Sequence, residues 1–381
     1  MPLLRYTVIE HNQQLAELCA GLTSETALAL DLEADSMHHY REKVCLLQLS
    51  NRRENWLIDP LQVTDLTPLG TLLAQPGLLT VLHGGDYDIR SLHRDFGIVV
   101  QQMFDTMVAA QFTGATEFGL AALLREHFSI ELDKRFQKAD WSKRPLTPEM
   151  ANYAAHDTAH LLELADQLKT RLGQLGRTAW VAEECALLVG NRVTEKGNGP
   201  LFLNCKGAGK LRPRNLAVLE ALLQFRDQQA REVDRPAFKI IPAEALLKIA
   251  EIIPASVRDM NGITGLTPRL LGKYGEQLLE SIRQGLAVAE TNLPRFPRGK
   301  GEPNPGIKAR IARLKQWREG ISSRMELASG LLAPNWLLER IAEQQPGTLE
   351  QLGTIPGIRH WQVGLWGAEM IETLAKETQT A

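Results

Sequence analysis

Asp31, Glu33, Asp88, Tyr153 and Asp157 fall in three short segments, in the order Asp-x-Glu, then Asp, then Tyr-x-x-x-Asp. Oxygen donors without histidine or cysteine partners suit hard cations such as Mg²⁺ or Mn²⁺ rather than zinc. Asp31 and Glu33 are two positions apart, so on a strand both side chains point to one face. Two carboxylates on one face are costly unless water or cations neutralise them. A tyrosine four residues ahead of Asp157 shares its helical face and can reach the same site. Two divalent ions roughly 4 Å apart activate an attacking water and stabilise the leaving oxygen of an in-line displacement. Phosphodiester hydrolysis with two metal ions is the chemistry this set can do, with the tyrosine hydroxyl orienting the water.

The set needs a scaffold, and the neighbouring sequence supplies one. Thr26–Glu33 is a short apolar run that turns acidic at its end, Val44–Ser50 reads as a second strand and Trp56–Ile58 as a third. Leu78–His83 is another buried strand, closed by Gly84-Gly85, and Asp86–Phe96 then has helical spacing up to Gly97. Beyond it the chain to Leu172 is mostly helical. Thr147-Pro148-Glu149 opens the helix that carries Tyr153 and Asp157, with an N-cap followed by proline in the first turn. Three strands on short connections followed by strand–helix alternation imply an α/β domain, a mixed sheet flanked by helices. A ribonuclease H-like sheet fits this order.

After about residue 195 the character changes. Gly197-Asn-Gly-Pro200 and Lys206-Gly-Ala-Gly-Lys210 read as a linker, and the chain beyond them is all-helical and repeats itself. A shift of 92 residues without gaps aligns Ile249-Ala250-Glu251 with Ile341-Ala342-Glu343, Pro254 with Pro346, Gly265 with Gly357 and Gly275 with Gly367. Two copies of one small all-α domain are expected, separated by a second linker from Thr291 to Pro305. The expected domains are residues 1–195, 208–290 and 304–378.

Composition narrows the class of protein. The 381 residues, 44% apolar and 23% charged, suit two or three globular domains. No run approaches the ~18 apolar residues of a membrane span, and the N-terminus reads as free of an export signal. Cys19, Cys45, Cys185 and Cys205 form no C-x-x-C pair, so thiols in a reducing cytoplasm are expected. The net charge of −2 hides local asymmetry: from Pro294 to Arg324 nine Lys/Arg face two Asp/Glu. Such a stretch is either a phosphate-contacting surface or a solvated linker.

Three quoted segments carry a family resemblance. Ala29-Leu-Asp31-Leu-Glu33, His83-Gly-Gly-Asp-Tyr-Asp88-Ile-Arg-Ser-Leu and Tyr153-Ala-Ala-His-Asp157 resemble the motifs of the tyrosine subclass of DEDD 3′–5′ exonucleases. The repeats resemble the helicase-and-ribonuclease-D C-terminal (HRDC) module, the second copy the more divergent. One exonuclease followed by two such modules resembles the bacterial ribonuclease D family. The resemblance implies that Asp31 bridges two divalent ions, and that Glu33 and Asp157 serve the ion holding the nucleophilic water. It further implies that Asp88 supports the other ion and Tyr153 positions the nucleophile. Asp86 competes with Asp88; two positions apart on a helix they diverge by about 200°, and the motif spacing favours Asp88. His83 and His156 are read as structural.

The same resemblance implies RNA with a free 3′ end, such as tRNA precursors, as substrate, and a monomer with no obligate protein partner is expected. Candidate RNA contacts are Lys143 and Arg144 beside Trp141, Lys210, Arg212 and Arg214 on the first repeat, and Lys308, Arg310 and Arg313 on the second. Trp141 as packing under a loop is the competing account of the first of these groups. Deleting the repeats is expected to leave cleavage of short oligonucleotides largely intact. A DNA-directed 3′–5′ exonuclease and a nucleic-acid-binding scaffold with an inactive site are the alternatives. A helicase is excluded for want of a G-x-x-x-x-G-K-[ST] loop, since Gly207-Ala-Gly-Lys210 lacks the earlier glycine.

Overall fold

Side-chain alternation and short apolar runs fold the N-terminal part around one six-stranded sheet. The structure, a computed structural model, describes residues 3–190, 199–297 and 305–376. The strands are β1 (Thr7–Ile9), β2 (Ala27–Ala34), β3 (Val44–Ser50), β4 (Asn55–Ile58), β5 (Leu79–Leu82) and β6 (Gln102–Asp105). Their order is β1-β4-β3-β2-β5-β6. β3 runs antiparallel to both β2 and β4, while the β1–β4, β2–β5 and β5–β6 pairs are parallel. The sheet is therefore mixed and flanked by helices, as expected. β1 and β6, the two edge strands of three and four residues, were not read from the sequence, having no apolar run such as marks β4 and β5.

The chain divides into two compact units. One combines residues 1–34 and 44–193 with residues 302–381; the other combines residues 194–301 with the short loop 35–43. In the first unit the second helical repeat shares a core with the exonuclease-like part. Trp361 stacks on Trp180 at 4.9 Å with an 11° interplanar angle, and Phe112 meets Trp361 edge-on at 5.7 Å. Around this aromatic cluster Arg359 donates to Glu184 through Nε at 2.8 Å and Nη2 at 3.0 Å, and Glu183 accepts the backbone N–H groups of His360 and Trp361. The shared core bears on the expectation that deleting the repeats leaves cleavage of short oligonucleotides largely intact. Removing the second would expose Trp180 and strip the partners of two carboxylates.

In the second unit the first repeat packs its own core, with Leu219, Leu246, Ile249, Met260 and Leu278 fully buried. The 35–43 loop belongs to it: the Tyr40 hydroxyl donates to both Asp227 oxygens, at 2.9 and 3.0 Å. The stretch 206–210, expected as linker, is instead folded onto this core. Phe202 and Ala208 are buried, and Phe296 packs 6.1 Å from Phe202. Gly197, Asn198 and residues 298–304 of the expected linkers, and the expected boundaries at 195, 304 and 378, lie outside the described residues.

The 92-residue register holds in three dimensions. Helices Ala237–Ile240 and Ala243–Ile252 correspond residue for residue to Ser329–Leu332 and Asn335–Gln344. Even the left-handed residues recur: Asp234 and Glu326, Ile253 and Gln345, Gly265 and Gly357 all have positive φ at matching positions.

Candidate active site

The edge of β2 and two helices deliver the five residues. Asp31 and Glu33 lie on one face of β2, and a register irregularity follows at Glu33/Ala34, where the strand leaves its partner β3. Asp88 sits in the first turn of helix Asp86–Phe96, launched by the Gly84-Gly85 turn at the end of β5. Tyr153 and Asp157 lie on helix Pro148–Ala159, whose N-cap Thr147 accepts from Met150 N–H as the sequence predicted. Ala151, Ala154 and Ala155 are buried beside Cys45, Leu46 and Leu57, and their small size lets this helix lie close to the sheet. A bond of 2.6 Å between the Ser50 and Thr158 hydroxyls ties the helix to β3.

The four carboxylates share one electrostatic environment. Burial, opposed by a hydrogen bond from the backbone at Leu32, raises the pKa of Asp31 from 3.8 to about 7. Burial lifts Glu33 well above the usual carboxylate range, and the charges of Asp31, Asp157 and Asp88 add to it. Asp88 and Asp157 are raised in the same way, by burial first and then by Asp31. Among the described residues none of the four forms an ion pair with lysine, arginine or histidine. Nor do any three Asp, Glu, His or Cys side chains there form a ready-made metal cage. Buried, oxygen-only and lacking a protein cation, the donor set has the chemistry that suits hard divalent ions, for which Asp31, Glu33, Asp88 and Asp157 would be the ligands.

Asp86 and Asp88 part ways as helical geometry requires. Asp86 is partly exposed and bonded to Arg90 Nη2 at 2.7 Å, whereas Asp88 is only 7% exposed and turned toward Asp31. Tyr153 is buried between Trp141, 6.0 Å away, and Phe136, 5.8 Å away. Burial, then the charges of Asp157, Glu33 and Asp31, push its hydroxyl above the ordinary tyrosine range. It therefore stays protonated at neutral pH and can orient a water but not deprotonate one.

Three polar residues near the set were missed in the sequence. Gln48 pairs directly with Asp31 across β2–β3, so its side chain lies on the carboxylate face; it is fully buried, and neither amide atom has a hydrogen-bond partner among the described residues. A lone glutamine in Val44–Ser50, otherwise Val, Cys, Leu and Ser, was the available signal. Asp105 accepts the N–H groups of Gly84 (2.9 Å), Gly85 (2.8 Å), Met107 (2.8 Å) and Val108 (3.2 Å), fixing the turn that launches the Asp88 helix. Its signal was an aspartate at a strand-to-helix junction. Thr106 bonds His83 Nδ1 at 2.9 Å, and burial lowers that imidazole to about 4 against the opposing charge of Asp105. His156 bonds the Asn152 carbonyl at 2.8 Å.

Comparison with known proteins gives this geometry a lineage. Residues 6–173 match the family model described as 3′–5′ exonuclease, and residues 215–282 and 307–374 each match the HRDC domain. Ribonuclease D of Granulibacter bethesdensis is 30% identical over 377 residues, covering 96% of this chain and 91% of the relative. The chain belongs to the ribonuclease D family. Ribonuclease D of Pseudomonas paraeruginosa is 33% identical over 75% of this chain and 76% of its own. The crystal structure of Escherichia coli RNase D, described as an exoribonuclease involved in structured RNA processing, superposes with a TM-score of 0.75. That match has 27% identity and covers 97% of this chain and 99% of the other. As a ribonuclease D family member the chain is a 3′–5′ exoribonuclease, a hydrolase.

Several candidate RNA contacts in this ribonuclease D family member also hold intramolecular bonds that the sequence did not show. Arg144 spans Asp59 (2.8 Å from Nη2 to Oδ1) and the carbonyls of Cys45 and Trp141, locking the loop before the Tyr153 helix. Trp141 is fully buried. Arg310 caps the Ala342 carbonyl, Arg313 those of Thr373 and Leu374, and Arg214 those of Leu286 and Val288. These guanidinium groups close helix ends. Lys143 stays largely exposed, 3.8 Å from Asp140; Lys210, Arg212 and Lys308 are also exposed.

Proposed function

We propose that this exoribonuclease trims 3′ ends of structured RNA, tRNA precursors among them, by a two-metal-ion mechanism. The single observation that carries the mechanism is the convergence of four buried carboxylates without a protein cation to neutralise them. Divalent ions, Mg²⁺ or Mn²⁺, would supply the positive charge that lowers the pKa of an attacking water and stabilises the leaving 3′ oxygen. Asp31 would serve both ions, a reading supported by its charge raising Glu33, Asp88 and Asp157 alike. Glu33 and Asp157 would hold the ion nearer Tyr153, which feels both charges; Asp88 would serve the other. Tyr153 keeps its proton and orients the nucleophile along the line of attack. The RNA substrate rests on family membership, supported by the structured-RNA role of the E. coli relative. The setting we infer is the cytoplasm, with all four cysteines buried as thiols, as in reducing compartments. Among the described residues no helix is long and apolar enough to cross a membrane.

The test uses wild type and Asp31→Ala on 5′-labelled single-stranded RNA, matched DNA and a 3′-extended tRNA, with Mg²⁺, Mn²⁺ or EDTA. Metal-dependent shortening of RNA from the 3′ end, abolished by the substitution, is expected. Turnover that survives EDTA overturns the metal mechanism, and preference for DNA overturns the substrate.

A further inference from the structure

Arg144 lies just ahead of the helix Pro148–Ala159, and its guanidinium is saturated from within the chain. Nε donates to Asp59 Oδ2 at 2.5 Å and Nη2 to Asp59 Oδ1 at 2.8 Å, the fork that a planar guanidinium makes on a carboxylate. Nη2 also donates to the Cys45 carbonyl at 2.6 Å, and Nη1 to the carbonyls of Trp141 and Lys143, both at 2.8 Å. Together these bonds use every N–H donor that an arginine has. The Arg144 side chain is 19% exposed and that of Asp59 only 2%. Asp59 is itself pinned just past the end of β4: its N–H donates to the Ile9 carbonyl at 2.9 Å, and its Oδ1 accepts from the Leu61 N–H at 2.9 Å.

The carbonyls that Arg144 gathers belong to two parts of the site. Leu46 stands opposite Glu33 and Val44 opposite Ala34, so Cys45 is the extra residue of a bulge in β3. A bulge bends its strand and re-aims the side chains beside it, here at Glu33. Arg144 takes the carbonyl of that extra residue. It also holds the backbone of Trp141, whose fully buried indole lies 6.0 Å from the Tyr153 ring. Cys45, Trp141 and Tyr153 share one small apolar cluster with Leu46 and Ala154. A rigid cation with donors in fixed directions can hold a bulge, a strand end and a loop in one geometry. Lysine, a point charge on a flexible stem, cannot.

We propose that Arg144 is a positioning residue: by clamping the Cys45 bulge and the Trp141 loop to Asp59, it sets where the Tyr153 hydroxyl stands relative to Glu33. The inference rests on the reading above that Tyr153 orients the attacking water, and it names what holds the tyrosine for that step. Arg144 touches no reacting atom and acts on turnover through Tyr153.

The experiment measures kcat and KM of full-length wild type, Arg144→Lys, Tyr153→Phe and the double variant on a short single-stranded RNA, at saturating Mg²⁺ and across a salt series. Arg144→Lys keeps a cation beside Asp59 but cannot hold the three carbonyls as well. It should lower kcat about 10-fold, since a misplacement of about 1 Å can cost ~100-fold. KM and its salt dependence should stay within about twofold of wild type. In the double variant the two losses should not multiply: adding Arg144→Lys to Tyr153→Phe should cost less than about twofold, because the hydroxyl through which Arg144 acts is already gone. Losses that multiply would overturn the proposal and leave Arg144 a support of the fold alone. A raised KM with a shallower salt slope and unchanged kcat would overturn it in favour of a phosphate contact. If Arg144→Lys loses its cooperative thermal transition, Asp59→Asn decides. That change keeps the shape of the acceptor, breaks the fork, and is held to the same kcat loss and the same non-additivity with Tyr153→Phe. Wild type that fails to shorten RNA, or Tyr153→Phe that turns over as wild type does, sinks the mechanism and this inference with it. Losses that multiply while Tyr153→Phe is impaired sink the role of Arg144 alone.

Discussion

Gln48 stands directly opposite Asp31 in the β2–β3 pair, a buried amide facing the central carboxylate of the site. Its two polar atoms have no hydrogen-bond partner among the described residues, so the fold gains nothing from them. A buried amide left unpaired beside reacting residues would gain its bonds only when ions, water or RNA fill the site, and would position them there. Gln48→Leu should therefore raise or preserve Tm, by up to about 1 kcal/mol in stability, while lowering kcat about 10-fold. Thermal melts and single-turnover assays on the same preparation check this. Full activity in the leucine variant would reduce Gln48 to filler.

The carboxylate cluster makes an unusual pH prediction for the metal-free protein. Asp31 has its pKa raised from 3.8 to about 7, so between those values the folded state holds a proton that the unfolded state has released. Stability from this group is then present at low pH and lost as pH rises through about 7, the reverse of a salt-bridged aspartate. In EDTA, wild type should lose Tm relative to Asp31→Asn as pH climbs from 5 to 8. Adding Mg²⁺ or Mn²⁺ should close that gap at pH 8 and have less effect at pH 5. Parallel melting curves for the two proteins in EDTA at every pH would contradict the shared-charge picture.

Tyr153 separates binding from chemistry. Its hydroxyl is held protonated by burial and by Asp157, so it acts through a hydrogen bond. Losing one such bond to the nucleophile is worth about 1–3 kcal/mol, or roughly 10- to 100-fold in rate. Tyr153→Phe should show that loss in kcat with RNA affinity unchanged, and the ring packing against Trp141 and Phe136 should keep the fold intact. Wild-type turnover would remove the hydroxyl from the mechanism.

How much of the site was readable in the sequence depends on how local each signal is. The Asp31/Glu33 pair and the Tyr153/Asp157 pair announce themselves through strand and helix periodicity within a few residues. The choice of Asp88 over Asp86 needed only helical geometry. Gln48 and Asp105 were missed because their meaning is non-local: one depends on the β2–β3 register, the other on two glycines some twenty residues upstream. The intramolecular bonds of the arginines at 144, 214, 310 and 313 were not legible because charge is visible in a sequence whereas the carbonyl that meets it is not. The repeat was legible as a 92-residue echo, but not the different fates of its two copies, since an apolar helix face looks alike whether it meets its own core or another domain.

Asp105 tests positioning without touching the reacting groups. Its two oxygens accept four backbone N–H groups, two of them in the turn before the Asp88 helix. Asp105→Asn replaces one oxygen by an amide nitrogen that cannot accept, leaving at least one buried N–H unpaired at a cost of about 1–3 kcal/mol. The expected outcome is a lower Tm together with a lower kcat. Supplementing with Mn²⁺ to saturation should restore part of the kcat, because the ligands survive and only their placement is loosened. A Tm loss with undiminished kcat would make Asp105 a structural cap alone.

The aromatic stack between Trp180 and Trp361 sets what truncation can achieve. The second repeat buries Trp361 against Trp180 and Phe112 and supplies Arg359 to Glu184, so it completes the exonuclease core. Trp361→Ala should cost about 3 kcal/mol or more through the cavity it leaves. Arg359→Ala should cost less in packing but strand Glu184, a carboxylate about four-fifths covered, without its forked partner. Deleting residues 302–381 should do both at once and abolish cleavage of even short oligonucleotides, together with the cooperative melt. Retention of oligonucleotide cleavage by that truncation would show that the sheet domain folds and works alone, and that the Trp180–Trp361 stack is not required for either.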